Sequence, residues 1–177
     1  MKITAFGASN SQNSINKQLA NYALNQLNAT SKELLDLNDF DMPLFSVDRE
    51  EKGYPAEAEN FVKKVAESDL IVISFAEHNR NFSATFKNLF DWSTRINSKM
   101  FGGKKMILLS TSPGGYGGKN ALGLAENLFG MFKAEVLGSF SLPKFHENFE
   151  ADKGITNPEL QAELAAVLKS SEQVTGH

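Results

Sequence analysis

The sequence predicts a doubly wound α/β fold: a three-layer α/β/α sandwich around a five-stranded parallel sheet of order 2-1-3-4-5. Three observations carry that prediction. Apolar runs of strand length alternate with helical stripes along most of the chain. The run Leu70-Ile71-Val72-Ile73-Ser74-Phe75 is almost continuously apolar, as a parallel strand covered on both faces must be. Five strands also suit this order better than the six of a dinucleotide-binding sheet.

The elements follow in turn. Ile3-Thr4-Ala5-Phe6 reads as the first strand, and the spacing of Ile15, Leu19, Tyr22, Ala23 and Leu27 as the first helix. A short strand is expected around Glu33 to Leu37, then a loop from Asn38 to Tyr54 containing Pro43 and Gly53. Ala58, Phe61, Val62 and Val65 mark the second helix, and Leu70 to Phe75 the third strand. The third helix carries Phe82, Phe86, Leu89, Phe90 and Ile96, a stripe expected in the core. Gly102-Gly103 turns into the strand Met106 to Leu109, followed by a glycine-rich loop and a fourth helix with Leu124, Ala125, Leu128 and Phe132. Val136 to Leu142 is the fifth strand and Pro158 to Leu168 a closing helix; the polar tail after about Phe149 is expected to be loosely held.

Composition narrows the function classes. The 177 residues fit one domain, taken as 1–177, with no internal repeat or low-complexity tract. A net charge of −3 gives no basic footprint, so neither nucleic acid nor an anionic membrane is an expected partner. The absence of cysteine excludes disulfides, thiolate metal sites and cysteine catalysis, and no metal site is expected. No apolar run approaches the ~20 residues of a membrane span, so a cytoplasmic location is expected.

Three polar segments fall at the C-terminal ends of the first, third and fourth strands: Ser9 to Asn16, Ala76 to Asn81, and Thr111 to Gly118. In a sheet of this order they share one rim. The first opens a helix, whose N-terminal N–H groups and dipole form an anion cradle to which Ser and Asn side chains add neutral donors. An ordinary N-capped helix after a strand reads the same way. Neither G-x-G-x-x-G nor G-x-x-x-x-G-K-[ST] occurs, so dinucleotide and P-loop sites are disfavoured and a phosphate monoester is the better fit. Residues 76–81 can edge a flat polar ring such as a flavin, although Glu77, His78 and Arg80 also suit a solvated loop. Four glycines within 114–118 let the backbone approach a ligand closely.

These segments resemble the NADPH-dependent FMN reductase family. The resemblance rests on Gly7-Ala8-Ser9, Ser14-Ile15-Asn16, Ala76-Glu77-His78-Asn79, Phe86 to Trp92 and Ser112 to Gly118, in that order, and spans Met1 to Leu142. It implies a flavodoxin-like fold, bound FMN, and NADPH or NADH as electron donor. The acceptor would be a flavin, quinone, azo compound or metal oxyanion. Carried over by position, Ser9, Ser11, Ser14, Ile15 and Asn16 hold the FMN phosphate. Ala76, Glu77, His78 and Asn79 edge the flavin, while Ser112, Pro113, Gly114, Gly115 and Gly117 line its other side.

Three departures stand out. Ser11 occupies a place where arginine is common, His78 replaces a tyrosine, and Arg80 replaces a glycine. Arg80 either disturbs the nicotinamide approach or pairs with a nicotinamide phosphate. Phe45 and Tyr54 are expected near the acceptor, and Lys87, Asn88 and Asp91 are expected to anchor loops or an oligomer contact. No residue is nominated as catalytic, since hydride transfer through a flavin depends on stacking rather than on acid–base groups. The resemblance further implies a homodimer or homotetramer. The competing reading is a flavodoxin-type electron carrier without nicotinamide oxidation, although the chain lacks that class's threonine-rich loop and strong negative charge.

Overall fold

The computed structural model describes residues 1–174, and side chains as far as residue 170. Strand β1 (Lys2–Ala8) runs into helix α1 (Ile15–Gln26), then β2 (Ser31–Leu35), a 3-10 turn (Leu37–Phe40) and the short α2 (Val47–Glu50). Helix α3 (Ala56–Ala66) precedes β3 (Leu70–Phe75), a hairpin of β4 (Glu77–His78) and β5 (Asn81–Phe82), and α4 (Ala84–Ile96). Next come β6 (Lys105–Thr111), α5 (Lys119–Met131) and β7 (Glu135–Leu142). The described chain ends with α6 (Phe145–Asn148), a hairpin of β8 (Phe149–Glu150) and β9 (Gly154–Ile155), and α7 (Pro158–Val174).

The main sheet is parallel throughout, with order β2-β1-β3-β6-β7, which is 2-1-3-4-5 when its five strands are counted alone. Alternation along each strand sorts side chains between two cores. Phe6 and Ala8 of β1, with Ile71, Ile73 and Phe75 of β3, face α3, α4 and α5. Ile3 and Ala5, with Leu70 and Val72, face α1 and α7. The first core is rich in phenylalanine: Phe75 meets Phe86 edge-on at 5.2 Å between centroids, and Phe101 meets Phe129 at 4.9 Å.

Several elements depart from the sequence reading. β2 sits two residues earlier than expected, because Leu37 opens the 3-10 turn instead of ending the strand. Phe82 lies in the hairpin, not in α4, and packs on Phe75 at 5.3 Å from there. Ser110 and Thr111 belong to buried strand, their hydroxyls donating to the carbonyls of Gly117 and Leu142. The buried face of α5 is Ala121, Leu122, Ala125 and Phe129, which leaves Leu124 exposed. The tail expected to be loose contributes Ile155, Leu164 and Leu168 to the second core.

Among the described residues, the Ser93 hydroxyl in α4 is a buried side-chain oxygen without a hydrogen-bond partner. Ser93→Ala removes a desolvated group that makes no bond, so it is expected to raise stability by about 1 kcal/mol. For a chain of this size that is a rise of roughly 2–4 °C in Tm, measurable by differential scanning calorimetry.

Candidate functional site

Gly7 sets the geometry of the first segment. A Cβ there would meet the Lys17 amide nitrogen at 2.3 Å and the Lys17 Cα at 2.7 Å, so only glycine lets α1 start this close to β1. Ser14 is the N-cap: its Oγ accepts from the Lys17 N–H at 3.1 Å, and its carbonyl accepts from Gln18 N–H at 3.1 Å. The amides of Ile15 and Asn16 then have no carbonyl one turn earlier in the helix to bond. Ser9, also buried, accepts from the Ser11 N–H at 3.2 Å and shapes the turn between strand and helix.

The three polar segments meet. A cavity of about 200 Å³ is lined by Ser9, Ser11, Asn13, Ser14, Ile15 and Asn16 from the first. Ala76, Glu77 and His78 line it from the second, and Thr111, Ser112 and Pro113 from the third. No lysine or arginine lines this cavity. Lys17, the nearest cation along α1, is paired with Asp36. That hydrogen bond, with a further one from the Asn38 N–H, holds the Asp36 carboxyl below the usual carboxylate range. The donors available at the cavity are therefore hydroxyls, the Asn13 amide, the His78 ring and the positive end of α1.

Asn16 does more than line the site. Its Oδ1 accepts from Ser74 Oγ at 2.7 Å and from the Thr111 N–H at 3.1 Å, and its Nδ2 donates to the Thr111 carbonyl at 3.2 Å. One amide thus ties α1 to β3 and β6. Glu77 is likewise committed within the protein. Its carboxylate accepts from the Asn120 N–H at 2.9 Å, the Ala121 N–H at 3.1 Å and Asn120 Nδ2 at 2.9 Å. Gly118, the N-cap of α5, has no side chain to offer, so Glu77 caps that helix from across the site.

The predicted residues divide accordingly. Asn79 lies at the tip of the β4–β5 hairpin, not against the cavity; with Arg80 it forms a two-residue turn with φ of 52° and 62°. Two successive positive φ values describe a type I′ turn, which explains why a glycine would suit position 80. Arg80 is exposed at that tip. Gly114 and Gly115 are exposed beyond the cavity wall, as is Tyr116. Gly117 is buried at φ 65°, where a Cβ would meet Ser141 Oγ at 2.3 Å; its carbonyl accepts from Ser110 and Ser141. It shapes the loop from beneath. Asn13 and Thr111 line the cavity without having been singled out; their positions inside the named polar segments were the available signal.

Asn88 anchors a loop, as its place in the motif implied. It accepts from the Phe45 N–H at 2.8 Å and donates to the carbonyls of Met42 and Pro43. Trp92 Nε1 donates to the same Pro43 carbonyl at 2.7 Å, and Phe45 stacks edge-on against its ring at 5.1 Å. Lys87 and Asp91 pair with each other on the surface. No helix among the described residues is long and apolar enough to cross a membrane.

Residues 1–147 match the model of the NADPH-dependent FMN reductase family. An Arabidopsis thaliana NADPH:quinone oxidoreductase is 30% identical over 151 residues, 81% of this chain and 74% of that protein. A 2-hydroxy-1,4-benzoquinone reductase from a Burkholderia species is 34% identical over 119 residues, 66% of this chain and 63% of that one. Among solved structures, the NAD(P)H:(acceptor) oxidoreductase FerB of Paracoccus denitrificans superposes with a TM-score of 0.73, covering 97% of both chains. At 24% identity that likeness concerns the fold, which is flavodoxin-like. With the family model matched across most of its length, the chain belongs to the NADPH-dependent FMN reductase family and is an NAD(P)H-dependent oxidoreductase with FMN as its cofactor.

Proposed function

We propose that this protein passes reducing equivalents from NADPH or NADH, through FMN held in the three-segment cavity, to a small acceptor of the quinone, flavin, azo or oxyanion class. The observation that carries this reading is the convergence of all three segments on one cavity that offers hydroxyls, the Asn13 amide, the His78 ring and a helix N-terminus but no lysine or arginine. That donor set fits the phosphate of a mononucleotide: it stabilises a compact dianion without a dedicated cation. Ser9, Ser11 and Ser14, with the amides of Ile15 and Asn16, hold that phosphate. Ala76, Glu77 and His78 edge the ring, and Ser112 and Pro113 close its other side. Asn79, Gly114, Gly115 and Gly117 act by shaping the two walls.

FMN, when bound, would supply the hydride- and electron-transfer chemistry between nicotinamide and acceptor. The chain's part is to orient and to exclude water. Glu77 fixes the hairpin against α5, and Gly117 with Ser141 fixes the third loop, so both walls are set before a ligand arrives. We place the enzyme in the cytoplasm, as one domain over residues 1–177 that assembles with itself as a dimer or tetramer.

Purified protein is expected to be yellow, to release FMN on heat denaturation, and to bleach anaerobically with NADPH or NADH. Colour should return on adding a quinone. A colourless protein that takes up no FMN on reconstitution would sink the proposal. An FMN-loaded protein that oxidises neither nicotinamide would make it an electron carrier instead.

A further inference from the structure

The turn that ends β1 stands between two spaces. The cavity assigned above to FMN takes Ser9, Ser11 and Ser14 from it. A second cavity, of about 430 Å³, takes Asn10 from the same turn. Its far side is made by Ala84 and Thr85, the first residues of α4. They follow Ser83, whose Oγ donates to the Ala8 carbonyl at 2.8 Å, so α4 starts against the turn that also starts α1.

The wall of the second cavity is more polar than apolar. Leu37 and Phe40 are its buried apolar residues, while Asn10, Asn38, Asp41 and Thr85 carry polar side chains. The amides of Ala84 and Thr85 have no carbonyl one turn earlier in the helix to bond, and the first turn of α4 holds no acidic residue. Two charges stand at the mouth: Asp41, fully exposed, and Arg49, whose guanidinium donates to the Leu44 carbonyl. None of the residues assigned to the flavin ring lines this space.

We infer that the second cavity takes the adenosine monophosphate half of FAD, so that the protein holds FAD as well as FMN. The inference rests on the FMN reading above and extends it from the phosphate outward. FAD adds its second phosphate at the end of the cofactor remote from the ring, which is the end held by the turn that the two cavities share. The space suits the added half. Leu37 and Phe40 offer an apolar surface to adenine, Asp41 accepts from ribose hydroxyls, and the Thr85 hydroxyl with the first amides of α4 meets the second phosphate. Arg49 at the mouth offsets the Asp41 charge. A volume of about 430 Å³ also lies within the ~300–1,000 Å³ usual for small-molecule pockets.

The test titrates the full chain, freed of flavin, with FMN and with FAD and follows flavin fluorescence. The flavin phosphate of FAD carries less charge than the FMN monoester, so the cradle alone grips it less firmly. Wild type should nevertheless bind FAD within roughly five-fold of FMN, because the second cavity makes up the difference. Ala84→Glu sets a carboxylate at an exposed first-turn position, where it suits the helix and opposes a second phosphate. It should weaken FAD at least about ten-fold and FMN by no more than about two-fold. Ala84→Trp fills the cavity without adding charge and should discriminate in the same direction. A larger gap between the flavins in wild type, or equal weakening of both in the two variants, would overturn the inference. Should neither flavin bind wild type, the FMN reading fails with it. Tight FMN binding alongside FAD binding indifferent to position 84 defeats the second cavity alone.

Discussion

Asn16→Ala is expected to cost about 3 kcal/mol of stability and at least a ten-fold loss of FMN affinity. The side chain satisfies Ser74 Oγ and both the N–H and the carbonyl of Thr111, all in buried surroundings. Each buried polar group left without a partner costs roughly 1–3 kcal/mol, and the Thr111 backbone lies on the cavity wall. Thermal unfolding should fall by roughly 6–12 °C, read by calorimetry on the FMN-free protein so that ligand binding does not contribute. Asn16→Asp sharpens the test. It keeps the acceptor for Ser74 and the Thr111 N–H, but sets a carboxylate oxygen against the Thr111 carbonyl and buries a negative charge beside the phosphate cradle. FMN affinity should therefore drop more than in the alanine variant, and stability at neutral pH should drop at least as much. An alanine variant within ~1 kcal/mol of wild type would show that the tie between α1 and β6 carries little energy.

Glu77→Ala is expected to destabilise the protein by about 2 kcal/mol and to weaken FMN binding roughly ten-fold. The lost contribution combines a helix cap, worth ~1 kcal/mol, with a carboxylate at the positive end of α5, worth ~0.3–1 kcal/mol. FMN affinity falls because residues 77–82 lose their attachment to α5, so the ring-edging wall must be ordered when the ligand binds. Glu77→Gln keeps one acceptor oxygen and should recover part of both losses. Urea titrations of the three proteins, with FMN affinity from flavin fluorescence, check this ranking. A glutamine variant as poor as alanine in both measurements would assign the effect to charge alone.

The parts of this fold written in local pattern were readable from the sequence. β3 has the bounds its apolar run marks, and the alternation of strands and helices gave the sheet order that brings the three polar segments together. What the pattern hid was set by contacts between distant residues. The β4–β5 hairpin was missed because its turn carries Arg80 at positive φ, where glycine would have announced it. Ser110 and Thr111 read as loop because they are polar, yet their hydroxyls are spent on carbonyls that fold back over them. Asn16 read as a phosphate donor, since sequence alone cannot say whether an amide faces a ligand or a neighbouring strand. That Glu77 also caps α5 was hidden for the same reason; its partners lie in a helix 43 positions away. The placement of residues 42–45 depends on Asn88, which grips that loop from 43 to 46 positions later, a contact no periodicity records.

The third loop has an anchor that comes late in the chain. Lys144 donates its N–H to the Gly114 carbonyl at 2.9 Å, and Phe145 donates to the Ser112 carbonyl at 3.1 Å. Phe145 in turn stacks on Phe149, in the hairpin that rests on Tyr22 of α1. During synthesis, Ser112 and Gly114 therefore gain these partners only after residues 144–149 have emerged, so the rim of the pocket is finished after most of the sheet that supports it.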